Sequence, residues 1–143
     1  MPYRAPLPSF DLILSAVAGY DAVAATDRFA EAQPDTVRAV LAEGGKVCEE
    51  VLAPLNRVGD TQPAMLENGV VRLPEGFAEG WRALAEGGWV SSSADPAFGG
   101  MGLPMTVTTA MNEMMSAACL SLPTAPLMAQ GQIEALEAHA PDA

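Results

Sequence analysis

Apolar side chains recur at helical spacing along most of the chain, and glycine or proline interrupts each run. Phe10, Ile13, Leu14 and Val17 repeat in this way up to Gly19, with Ser9 placed as an N-cap, and predict a short first helix. Three prolines within residues 1–9 predict an extended leader before it. Residues 20–29 predict a second short segment, with Val23 and Phe29 as its buried contacts. The clearest helix opens at Pro34-Asp35-Thr36, with proline at a tolerated first-turn position and a carboxylate near the positive end of the helix dipole. Val37, Val40, Leu41, Val47, Cys48, Val51, Leu52 and Leu55 form its apolar face. Gly44 and Gly45 interrupt that face at about 1 kcal/mol each, against about 1.5–3 kcal/mol for burying each large apolar side chain, so the helix is expected to continue. The same two small residues would also admit a neighbouring helix closely. Pro54 is expected to end or bend the run.

Residues 56–64 are polar and predict a loop. Leu66-Glu67-Asn68-Gly69-Val70-Val71 predicts a small hairpin, because Asn-Gly suits the positive φ angles of a two-residue type I′ turn. One hairpin is too little for a sheet, so the fold class is mainly α. Residues 74–86 predict a helix with Phe77, Trp81, Leu84 and Ala85 inward. Residues 105–118 predict a core helix through Val107, Ala110, Met111, Met114 and Met115; this methionine stripe reads either as ordinary core or as the lining of an adaptable apolar tunnel. A turn over 120–126 with two prolines precedes a last helix marked by Leu127, Met128, Ile133 and Leu136, which is expected to reach about His139 and stop at Pro141.

Between the two halves, Trp89 is followed by a polar loop and then by Asp95-Pro96-Ala97-Phe98-Gly99-Gly100-Met101-Gly102. Three glycines within four residues allow positive φ or the close approach of another group. A phosphate-binding reading is disfavoured, since the loop follows no strand run and lacks both the Walker Lys-Ser/Thr and the Rossmann spacing. The loop, the helix behind it carrying Glu113, the small-residue turn and the final helix together resemble the N-terminal helical domain of the flavin-dependent acyl-CoA dehydrogenases. Tyr3, Ala5, Pro6, Leu7 and Phe10, the run Val-Leu-Ala-Pro-Leu-Asn-Arg at 51–57 and Leu-Glu-Asn-Gly-Val at 66–70 look like one branch, which includes methylthiopropanoyl-CoA and some long-chain acyl-CoA dehydrogenases.

That resemblance implies a helical bundle over 34–143, preceded by a leader and short helices over 1–33. It also implies that the base removing the α-proton, and most contacts to FAD, belong to a middle β-domain and a C-terminal helical domain outside this chain. The chain is then expected to be a truncated chain or fragment, inactive by itself, with FAD in the parent enzyme and none held tightly here. Carried over by position, the acyl-chain wall takes Leu122, Thr124, Ala125, Pro126, Met128 and Ala129, with Phe98 and Met101 beside it. The glycine loop either positions those last two residues along an acyl channel or is a purely structural turn. Partners implied are the remaining enzyme domains, acyl-CoA, and a second copy in a homo-oligomer. A rival reading is a stand-alone helical interaction or ligand-binding module that keeps the fold; a large exposed apolar face would favour the first reading.

Composition narrows the partners. Eighteen acidic against 7 basic residues give a net charge of −11, which would repel nucleic acid, anionic membrane surfaces and the phosphates of coenzyme A. Any contact with an acyl-CoA is therefore expected at the acyl tail. Cys48 and Cys119 are distant, without CxxC, and read as buried small hydrophobes in a reduced, cytoplasmic setting. No apolar run approaches the ~20 residues of a membrane span. His139 is the only histidine, Glu49-Glu50 and Glu134/Glu137 read as solvated helix faces, and Ser91-Ser92-Ser93 lacks a nucleophile elbow, so neither a metal nor a catalytic residue is assigned.

Overall fold

The computed structural model describes residues 2–140. Its spine is a helical run from Pro34 onward, in which α3 (Pro34–Val47) passes through a π turn (Cys48–Leu52) into α4 (Ala53–Thr61). Pro54 therefore neither ends the run nor leaves 56–64 as a loop; only residues 62–64 lie between α4 and the hairpin. The π turn is the physical reason. It supplies a wider ring, with the Ala53 N–H donating to Cys48 O five residues back, just before the proline whose ring would press on the preceding carbonyl of a regular helix. Pro54 then stands in the first turn of α4, where a missing N–H costs little.

Gly44 and Gly45 do admit close neighbours. A Cβ on Gly44 would lie 2.3 Å from Met111 Sδ, where α3 crosses α6 (Met105–Ala118), and one on Gly45 would lie 3.0 Å from Ala5 Cβ. The methionine stripe is core: Met111, Met114 and Met115 are buried, with Val107, Ala110 and Ala118 beside them. Cys48 and Cys119 are free thiols in the same interior.

The leader is extended only to Pro6. Helix α1 (Leu7–Leu12) starts two residues before Ser9, because Pro8 fits the first turn, and runs into a π turn (Ile13–Val17) that Gly19 ends at φ 62°. Phe10 and Leu14 are buried, whereas Ile13 and Val17 face solvent. After α2 (Tyr20–Ala24), the Tyr20 hydroxyl donates to Ala32 O at 2.7 Å and ties the segment down ahead of Pro34. Val23 and Phe29 are partly buried against the core.

Glu49 corrects another expectation. It holds the leader, accepting from the Ala5 N–H at 2.9 Å and from Arg4, and these two donors place its carboxyl below the ordinary range. Because the folded value is depressed, the stabilisation is present above the ordinary carboxylate pKa of 4.5 and is lost as pH falls through the folded value. Glu49→Gln is expected to remove that pH dependence and speed amide exchange at Ala5. Exchange at Ala5 that is unchanged by the substitution at neutral pH would count against the tether.

The hairpin is as expected. Strands β1 (Met65–Glu67) and β2 (Val70–Arg72) pair antiparallel around Asn68 and Gly69 at φ 50° and 78°. In α5 (Phe77–Glu86) the inward stripe is Phe77, Gly80 and Leu84, not Trp81 or Ala85, which are exposed. Gly80 sets the rotation: a Cβ there would meet Leu55 at 2.6 Å and Leu122 at 2.8 Å. Two 3-10 turns (Trp89–Ser91 and Pro96–Phe98) then lead to α6 and finally to α7 (Thr124–His139).

Candidate functional site

The glycine loop, the turn before α7 and the start of α7 hold every residue assigned to the acyl wall. Gly88, at φ 75°, turns the chain into Trp89, which is 5% exposed and packs its ring beside Gly44 and Gly87. From there the chain goes out to Phe98 and doubles back over itself. Asp95 Oδ1 accepts from the Ala97 N–H at 2.7 Å, and the N–H groups of Phe98 and Gly100 donate to Asp95 O. Those of Met101, Gly102 and Leu103 donate to the carbonyls of Ser91, Ala94 and Ser92.

Each glycine has its own reason. Gly99 and Gly102 adopt φ 82° and 63°, and Gly100 lies so close to the first half of the loop that a Cβ would sit 2.0 Å from Ala94 O. Every amide from Ala97 to Leu103 is thus engaged within the loop, through the bonds above and Gly99 N–H to Pro96 O. None is aimed at an anion, so the loop is not a phosphate cradle and does not fit the pyrophosphate of FAD.

Helix α7 runs alongside the Trp89–Ser91 turn. Pro126 and Gln130 are buried and Ile133 half-buried, which marks one side as inward. Met128 (66% exposed) lies opposite, and Leu127 (46%) and Leu136 (64%) lie on the two flanks between, although these residues mark the apolar periodicity of the helix. The assigned wall residues therefore divide. Leu122 and Pro126 pack into the body, Leu122 against Gly80; Thr124, Ala125 and Met128 face out, with Ala129 between. Phe98 is 82% exposed at the loop tip and Met101 37% exposed, packed over Gly88.

Three polar residues escaped the sequence reading. The Asn112 amide donates to Gln130 Oε1 at 2.9 Å across the α6–α7 contact, and Gln130 returns a longer bond of 3.5 Å. Glu137 is not simply solvated: its carboxylate accepts from the Asp95 N–H at 3.1 Å and ties α7 to the loop. The available signal was positional, since Pro126, Gln130, Ile133 and Glu137 fall at helical spacing on one side.

Two recesses lie elsewhere. One of about 400 Å³ is lined by Leu7, Leu14, Tyr20, Val37 and Leu41, with Arg38 at its edge paired to Asp11 and Asp35. The other, of about 460 Å³, lies beside Tyr3, Glu49 and Pro54. Burial first, then the negative charge of Glu49, pushes the nearby Cys48 thiol up to about 12, so it stays protonated and is no nucleophile. Burial, with the charges of Cys48, Glu49 and Glu113, raises Tyr3 likewise to about 12.

Residues 34–143 match the family model for the acyl-CoA dehydrogenase N-terminal domain. The chain belongs to that family. It is 38% identical over 143 residues to a 3-methylmercaptopropionyl-CoA dehydrogenase of Ruegeria pomeroyi, covering all of this chain and 24% of the relative. It is 32% identical over 113 residues to a broad-specificity linear acyl-CoA dehydrogenase, FadE5, of Mycobacterium tuberculosis, covering 78% of this chain and 18% of the relative. The chain thus spans about a quarter or less of the length of these relatives. Among the described residues, no helix is long and apolar enough to cross a membrane.

Proposed function

We propose that this domain works as the N-terminal part of a flavin-dependent acyl-CoA dehydrogenase that desaturates a thioester between its α and β carbons. Its contribution is one wall of the acyl-chain site and an apolar face for the remaining domains. The observation that carries this reading is the exposure of Leu127, Met128 and Leu136 on α7, and of Leu120 and Phe98 before it, in a domain of this family. Apolar side chains left on the outside of a helix are made to be covered. An acyl tail and a second apolar layer are the covers such an enzyme offers.

The chemistry divides accordingly. FAD, when bound to the whole enzyme, supplies the hydride acceptor. The residues here exclude water from the acyl tail and orient it, and their net charge of −11 leaves the coenzyme A phosphates to other parts. The chain alone, supplied with FAD and an acyl-CoA, is expected to show no thioester oxidation; measurable oxidation would overturn the division of labour. For the wall itself, the test is photolabelling of the native enzyme with an acyl-CoA carrying a diazirine at the far end of its chain. Cross-links are expected on residues 120–129 and on Phe98 or Met101. Labelling confined to other elements would reject the reading.

A further inference from the structure

We propose that Gln130, paired with Asn112 and backed by the Glu137 contact to Asp95, is a positioning residue that holds α7 with Leu127 and Met128 outward, and so tunes acyl-chain selectivity; the selectivity step rests on the acyl-wall reading above. The inward side of α7 is chemically unusual for a helix on a methionine-rich core. At spacings of four, three and four residues it presents a proline, an amide, a half-buried isoleucine and a carboxylate. Met128 lies on the other side, and Leu127 and Leu136 on the two flanks. Apolar burial alone therefore selects no rotation for this helix, since apolar residues lie all around it.

Directional bonds select the rotation instead. Gln130 is 6% exposed and Asn112 answers it from α6, so turning α7 would leave two amides without partners beside the core. Glu137 lies seven residues on, about two helical turns, so its bond to Asp95 falls on the same side. Two pins on one side, two turns apart, fix both the rotation and the lie of the helix. The second pin also fixes α7 against the loop that carries Phe98 and Met101.

The test reads the methyl group of Met128 in the chain labelled with ¹³C-methyl methionine, using a soluble paramagnetic agent. In the unmodified chain Met128 should be strongly broadened while Met111, Met114 and Met115 are spared. Gln130→Ala cannot answer Asn112 and adds no large apolar group to the inward side, and Met128 should then become protected. The swap Asn112→Gln with Gln130→Asn should restore broadening. Glu137→Ala, at an exposed position, is a second variant expected to shift Met128 the same way should the buried change impair folding. A Met128 that is equally broadened in both single variants overturns the positioning role. In the flavoenzyme carrying these residues, Gln130→Ala should raise KM for the longest acyl-CoA about tenfold and leave the shortest within about twofold. Protection of Met128 with KM unchanged at every chain length would instead reject the acyl-wall reading and with it the selectivity step.

Discussion

Gly100→Ala is expected to destabilise the chain by about 3 kcal/mol or more, the upper end of what an added methyl does in a tight site. The obstacle is backbone, with Ala94 O 2.0 Å and Ala94 C 2.4 Å from the new Cβ, so no side chain can swing aside to make room. Relief would require parting the two halves of the loop, with loss of the bonds from Gly102 N–H to Ala94 O and from Leu103 N–H to Ser92 O. Gly99→Ala makes the informative contrast. Its φ of 82° disfavours a side chain, but nothing lies near the new methyl, so a loss of only about 1–2 kcal/mol is expected. Urea unfolding of the two variants checks the order. Equal losses would mean that the loop relieves the contact with Ala94 at little cost and that close approach does not set the requirement at Gly100.

Trp89→Ala should cost about 3–5 kcal/mol, the usual range for removing a buried aromatic ring. The ring is buried where the end of α5, the glycine loop and α3 meet: a Cβ on Gly44 would come within 3.4 Å of it, and one on Gly87 within 2.6 Å. The turn it begins is also where α7 rests. Against a total stability of about 5–15 kcal/mol for a domain, the loss takes a large share and loosens α7 with it. Thermal unfolding followed by circular dichroism would measure the effect. A shift as small as that of a surface substitution would show that Trp89 is not the support of this corner.

Much of this architecture is legible from residues alone, and the exceptions have physical causes. The helix over 105–118 is legible because five buried positions repeat on one side, and the hairpin because Asn-Gly carries its own backbone preference. The glycine loop announces a special backbone, but only the structure separates positive φ at Gly99 and Gly102 from close approach at Gly100. Pro54 misleads where it is read as an end to the run, one of its two expected effects, and the π turn before it leaves no mark in the sequence. Trp81 misleads because large residues outrank Gly80, whose smallness brings Leu55 and Leu122 in.

The candidate site is harder still. Along α7, apolar residues occur on both sides, so periodicity identifies a helix without telling which side is buried. Rotation is decided by an amide pair 18 residues apart and a carboxylate 42 residues from its partner. Glu49 is similar, reading as one of two solvated acids until the leader 44 residues away comes to meet it. Contacts of this kind depend on the fold being already in place, and local patterns cannot contain them.

The central claim is that these residues serve an acyl-CoA dehydrogenase. It is tested most directly by purifying the native polypeptide that carries them and recording its mass and visible spectrum before and after adding acyl-CoA. The account predicts a polypeptide several hundred residues longer, with a flavin band that bleaches when the thioester is added. A colourless 143-residue chain that gives no spectral change with any acyl-CoA would contradict it.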